Sequence, residues 1–288
     1  KPQTNFSRDD DRFWKAELDK SGSGYAVIRF LPALDDEKTA FVRVFNHGFQ
    51  GPGGWYIENS LTTIGQKDPL SEYNSVLWNS GIEANKEIAR KQKRRLTYFS
   101  NIYVVEDKAN PQNEGKVFLF RFGKKIFDKI SSMSNPEFED ETEVDVFNLW
   151  DGANFKLKIR KVDGFSNYDK SEFMTSAPLS EDESEMESVF GQQHDLEEFI
   201  DQKSFKTYDE LKTRLDTVLG NIQTAAMTAP TSVENDEAPF DGGTPIPESS
   251  TSEDENLDYF KKLVNITLSC EQNPFPQNAI QARWGKVF

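Results

Sequence analysis

Apolar residues recur along the chain with two periods, and the change from one to the other divides it. Through residue 165 the alternation is mainly of period two, the signature of strands with one face on a core. YAVIRFL (25–31) follows the turn signal SGSG, AFVRVFN (40–46) follows a charged loop, and WYIE (55–58) follows GPGG. YFSNIYVVE (98–106) and VFLFRFG (117–123) flank a loop with Asn110, Pro111, Asn113 and Gly115. VDVFNLW (144–150) and NFKLKIRKVDGF (154–165) complete seven short strands. In the last of these Phe155, Leu157, Ile159 and Val162 fall nearly all on one face while Lys156, Lys158 and Arg160 take the other. An insert over about 59–95, helix-prone from 72 onward, interrupts the series.

After residue 180 the spacing becomes helical. Residues 185–200 and 203–222 read as helices packed on the body, the second carrying Phe205, Tyr208, Leu211, Leu215, Val218 and Ile222, with Thr207 and Glu210 as a capping box. The pattern predicts a mainly β fold with helices (α+β), an antiparallel barrel or sandwich with a helical insert. It gives a core over 1–223 and a tail over 224–288, whose first part, rich in Pro, Ser, Thr and acid, is too polar to order itself.

Charge sharpens that division. The formal net charge is -15, yet residues 1–170 are balanced and the deficit lies beyond them. Residues 86–129 run the other way, with 12 basic and 5 acidic side chains. The run RKQKRR at 90–95 is partly explained as cations closing a helix C-terminus, but such an end needs one or two, not five.

The remaining chemistry is thin. One cysteine, Cys270, excludes an internal disulfide and a thiolate-rich zinc site and points to a reducing compartment. His47 reads as a structural hydrogen-bonding residue and His194 as an exposed one. No run of about 18 apolar residues is present, and KPQTNFSRDDD lacks the order of a signal peptide. The chain does not open on Met, which suggests that its true start is missing and leaves any N-terminal arm unread. No cofactor or metal is called for.

What the basic island offers is cations interleaved with rings, the two features that a sequence-tolerant binder of single strands needs for phosphates and base faces. Lys93, Arg94 and Arg95 precede Tyr98 and Phe99; Phe120 and Arg121 precede Lys124 and Lys125; Lys158 and Arg160 precede Phe165 and Tyr168. Core packing is the competing reading of each ring, since one parity of every strand faces inward. Duplex recognition lacks a zinc-finger spacing, a basic heptad or a recognition helix. The alternatives are a metal-dependent nuclease using Asp9, Asp10 and Asp11 or Glu139, Asp140 and Glu141, and an acidic adaptor without DNA binding. Consecutive carboxylates read as solvated loops, because a two-metal site needs ligands converging from separate elements.

EGKVFLFRFGKKIFDKI (114–130), with AVIRFLP, NHGF, WYIE and VDGFSNYDKSEF in consistent order, resembles the single-stranded DNA-binding proteins of T-even-type bacteriophages over about residues 6–222. The resemblance implies an OB-fold core that binds single-stranded DNA in replication, recombination and repair in the host cytoplasm. It also implies an acidic C-terminal segment that contacts phage replication and recombination proteins, and self-association on DNA through the N-terminal arm. It makes Arg94, Arg95, Tyr98, Phe99, Phe120, Phe165 and Tyr168 DNA-contacting positions. Near 254–265, Leu257, Phe260 and Leu263 form a short amphipathic motif suited to a partner groove. Well-known family members hold a structural zinc through one His and three Cys. Here Ser60, Ile64, Asp68 and Ser71 stand around the ligand positions, so a zinc-free insert packed by Ile64, Leu70, Tyr73 and Trp78 is expected.

Overall fold

The computed structural model describes residues 10–35, 37–138 and 140–220. Its strands are β1 (Phe13–Trp14), β2 (Gly24–Phe30), β3 (Phe41–Gly51), β4 (Gly54–Asn59), β5 (Arg95–Glu106), β6 (Val117–Phe122), β7 (Phe155–Val162), β8 (Phe165–Asn167) and β9 (Glu172–Phe173). The helices are α1 (Pro69–Asn79), α2 (Glu83–Lys91), α3 (Lys124–Ser134), α4 (Glu183–Gly191) and α5 (Tyr208–Leu219). They form one nine-stranded sheet, antiparallel throughout except for β1 against β6.

β5 is the hub. β6 pairs along residues 98–103, while β3 takes 95–100 and β2 takes 102–106. β6 overlaps both, so β3 and β2 divide the opposite edge. The path then runs from β2 to β7 and β8, and no pairing among the described residues returns it to β1. The sheet is open, and the class is mixed α+β.

β5 is covered on both faces, which explains its nearly unbroken run of buried residues. On one face Tyr98 stacks on Phe127 of α3, with centroids 4.2 Å apart and planes within 9°, and on Phe122 at 5.5 Å. On the other, Phe99 stacks on Phe199 of a 3-10 turn at 4.7 Å. A second core joins β3 and β4 to the insert and α5, through Phe49, Tyr56, Leu61, Leu70, Phe205, Leu211, Leu215 and Val218. The Thr207–Glu210 capping box starts α5 as predicted, an arrangement worth about 1 kcal/mol.

Several expectations change. VDVFNLW forms no strand: Asp145 accepts from the Phe147 N–H, and Asn148 from those of Trp150 and Asp151. These side chains hold the backbone in turns that compete with a sheet ladder. The loop is pinned by the fully buried Arg29, which donates to the carbonyls of Asn148 (2.7 Å) and Ala177 (3.0 Å). Burial lowers the Arg29 pKa to about 10 against the opposing pull of Asp145.

NFKLKIRKVDGF ends as a strand at Val162, because Asp163 and Gly164, both at positive φ, turn the chain back into β8. α3 follows VFLFRFG directly, in a stretch to which the alternation assigned no element. Ile126, Phe127 and Ile130 bury the face that makes it a helix. The helix expected over 185–200 stops at Gly191, and His194 is half-buried rather than exposed. Trp78 stays outside the insert core at 43% exposure, beneath the cations of Lys86 and Arg90, whereas Leu70 is buried and Ile64 and Tyr73 pack as expected. Ile222 and the tail, with Leu257, Phe260 and Leu263, lie outside the described residues.

Candidate nucleic-acid interface

The first group of cations sits where α2 hands over to β5. Lys93, Arg94 and Arg95 are all exposed. Arg94 lies over the Phe45 ring at 4.3 Å and donates to Thr62 Oγ1 at 2.8 Å. Arg95, opposite Asn46 in the ladder, reaches the Gly48 carbonyl at 3.4 Å.

The second group forms where β6 becomes α3. Gly123 caps the helix, and its first two residues are Lys124 and Lys125, with no acidic residue in the first turn. Cations at a helix N-terminus oppose the macrodipole, so this placement does not serve helix stability. Lys124 pairs with Asp128 at 2.8 Å and Lys125 with Asp169 at 3.1 Å. Lys129, one turn on, donates to the Asp169 carbonyl at 3.2 Å. Hydrogen bonds from Asn167 and Lys125 hold the Asp169 carboxyl below the usual range. Arg121, near the end of β6, keeps solvent access, yet the protein packed around its guanidinium reduces its solvation and lowers its pKa against the opposing pull of the Tyr168 hydroxyl across the same junction.

These contacts draw the segment after the β7–β8 turn onto α3. Arg121, Lys124 and Lys125 thereby come together with Tyr168, and Phe165 stands at the neighbouring hairpin tip, 41% exposed, opposite Val162 in register. Lys158 is half-buried and paired with Glu172 at 2.7 Å, while Arg160 is exposed.

The rings divide sharply. Tyr98, Phe99 and Phe120 are 3%, 3% and 6% exposed, and Phe120 packs against Trp14 and Phe30. As the structure stands, their faces are covered by protein and offer no open stacking surface. Phe165 is exposed and Tyr168 half-buried. Two further cations stand beside these groups: Lys129, four residues after Lys125 on α3 and so on the same side of that helix, and Arg43, opposite Tyr98 on β3.

The family described as "gp32 DNA binding protein like" matches residues 22–219, which span β2 to β9 and both cation groups. The chain belongs to this gp32-like family. Among its relatives, the single-stranded DNA-binding protein of Enterobacteria phage T2 is 47% identical over 229 residues, covering 77% of this chain and 74% of that protein. Its namesake in Enterobacteria phage T4 is 46% identical over 222 residues, covering 75% and 72%. That of Enterobacteria phage RB70 matches over 98 residues at 44% identity, a third of this chain and 80% of its own. The gp32-like family is one of binding proteins, and the chain is not an enzyme.

The zinc implied by the T-even resemblance does not fit the residues present. Ser60 caps a 3-10 turn and bonds Thr62, Ile64 packs against the insert core, and Ser71 gives its N–H to Asp68. Asp68 is fully buried beside the equally buried His47, with Oδ1 3.3 Å from Nε2. His47 Nδ1 lies 3.2 Å from the Gln92 carbonyl, and Asp68 also accepts from the Leu61 N–H. Burial pushes the Asp68 carboxyl up, but the bond and charge of His47 and the two N–H groups outweigh it, leaving its pKa at about 2. One His–carboxylate pair thus ties β3, the start of α1 and the end of α2 together. Among the described residues no three His, Cys, Asp or Glu side chains converge as metal ligands.

Proposed function

We propose that this chain binds single-stranded DNA without sequence preference, using the cations at the starts of β5 and α3 and the rings of the β7–β8 hairpin. The observation that carries the reading is the α3 N-terminus, where Lys124 and Lys125 stand against the helix dipole beside Arg121 and Tyr168. A phosphate drawn to that helix end offsets the unfavourable placement. Phe165 offers an exposed face for a base, a contact worth roughly 1 to 3 kcal/mol. Tyr98, Phe99 and Phe120 act as the packed floor that fixes the cation-bearing strands. Lys93, Arg94, Arg95, Lys158 and Arg160 extend the phosphate track.

The same reading takes the open antiparallel sheet as an OB-type core and residues 1–223 as the binding unit. It assigns residues 224–288 to competition with DNA and to recruitment of replication and recombination proteins in an infected bacterium, with Leu257, Phe260 and Leu263 as the docking motif. Family membership and the names of the relatives support it.

Titration of the full chain with poly-dT across a range of salt tests it. With about five cations on phosphates, log affinity falls against log salt with a slope of about -3.5, and absence of binding overturns the proposal. Deleting residues 228–288 tightens binding at low salt; an unchanged affinity removes the competitive role of the tail and leaves the groove.

A further inference from the structure

β4 is an edge strand, paired only with β3. Its alternation is clean. Tyr56 and Glu58 point to the α5 side and are buried, while Trp55 and Ile57 point the other way, 36% and 39% exposed. Across the ladder their partners are Gln50 and Gly48, and the next pair on that face is Asn46 with Asn59. No carboxylate stands among these six residues.

Gly48 leaves bare backbone beside Ile57, and Arg95 uses the gap. Its Nη2 is 3.4 Å from the Gly48 carbonyl, and a Cβ on Gly48 would lie 3.7 Å from Nη1. The face therefore carries an indole and an aliphatic side chain side by side on the edge strand β4, with the Arg95 guanidinium reaching Gly48 on β3 from β5. Arg94 follows, over the Phe45 ring.

This surface is held from behind. The Gly53 N–H donates to the Val218 carbonyl at 2.9 Å, and Arg214 donates to the Trp55 carbonyl at 2.8 Å. A Cβ on Gly53 would sit 1.9 Å from the Thr217 carbonyl oxygen, and one on Gly51 2.5 Å from that of Val218, so the hairpin docks on α5 only because both are glycine. A rigid edge strand that shows two large apolar side chains to solvent is the profile of an interaction surface. An exposed aromatic ring beside solvent-exposed guanidinium groups fits a strand that presents base faces and phosphates in alternation.

We infer that the β3–β4 face is a further single-stranded DNA subsite, in which a base stacks on Trp55 against Ile57 while Arg95 takes the adjoining phosphate. The inference rests on the single-stranded DNA reading above and extends that track from Arg94 and Arg95 to the β4 edge.

Intrinsic tryptophan fluorescence of the full chain, titrated with an oligo-dT of sixteen nucleotides, tests it. Trp55→Ala weakens binding about 5- to 150-fold, the range of one lost stacked base, with an unchanged thermal midpoint. Trp55→Phe keeps the affinity and loses most of the quenching, whereas Trp78→Phe keeps both; this pair of variants decides the matter should Trp55→Ala fold poorly. Wild-type affinity in Trp55→Ala, or full quenching in Trp55→Phe, overturns the subsite and leaves the face to an acidic protein partner. No binding by the unaltered chain overturns the parent reading instead.

Discussion

Tyr98 and Phe165 both follow a run of cations in the sequence, yet one is sealed between Phe122 and Phe127 and the other stands at the tip of a hairpin. The difference lies in the strands. β5 is central, with α3 on one face and the Phe199 turn on the other, so its period-two pattern has no solvent side. β7 and β8 meet at a two-residue turn outside that sandwich. Neighbouring charge therefore does not tell which ring is open, and strand position does.

Breaking the buried member should have the largest effect. Tyr98→Ala removes a ring stacked on two others, and we expect a loss of about 3 to 5 kcal/mol in urea unfolding. An unchanged midpoint would mean that the ring is not core.

The insert gives the next test, since its closure relies on one buried polar pair. Asp68→Asn should cost about 3 kcal/mol at neutral pH. Because the Asp68 pKa is depressed to about 2, its share of stability is complete above about 4 and is lost as the pH falls through about 2. Over that window the unaltered chain should lose about 2 kcal/mol that Asp68→Asn does not, read from unfolding curves at each pH. Parallel curves would exclude the pair as a staple.

On the exposed side, Phe165→Ala should leave the melting temperature unmoved and weaken oligo-dT binding by about 1 to 3 kcal/mol. A shift in stability without a shift in affinity would reverse the comparison.

Much of this was legible beforehand where one local rule acted alone. The alternation in NFKLKIRKV placed Phe155, Leu157 and Ile159 inward, and Thr207 with Glu210 announced α5. The reading failed where two rules competed. VDVFNLW has strand composition, but Asp145 and Asn148 capture its N–H groups. KKIFDKI received no assignment, although Ile126, Phe127 and Ile130 stand at helical spacing; the helix begins on two lysines against its own dipole. Most of the cations, Lys93, Arg94, Arg95, Lys124, Lys125 and Arg160, stand exposed while Lys158 is half-buried, whereas the rings required knowledge of what covers each sheet face, which is a tertiary fact.

The docking of Gly53 on Val218 also fixes an order of events in time. The two residues are 165 positions apart, so during synthesis the β3–β4 hairpin emerges long before the helix that backs it. At roughly 5 to 20 residues per second that interval is about 8 to 33 s. Through it the insert has its β3 and β4 side chains but not Leu211, Leu215 and Val218 to cover them. A ribosome-bound chain halted just before residue 208 should therefore be more open to protease around Phe49 and Tyr56 than one released past residue 220.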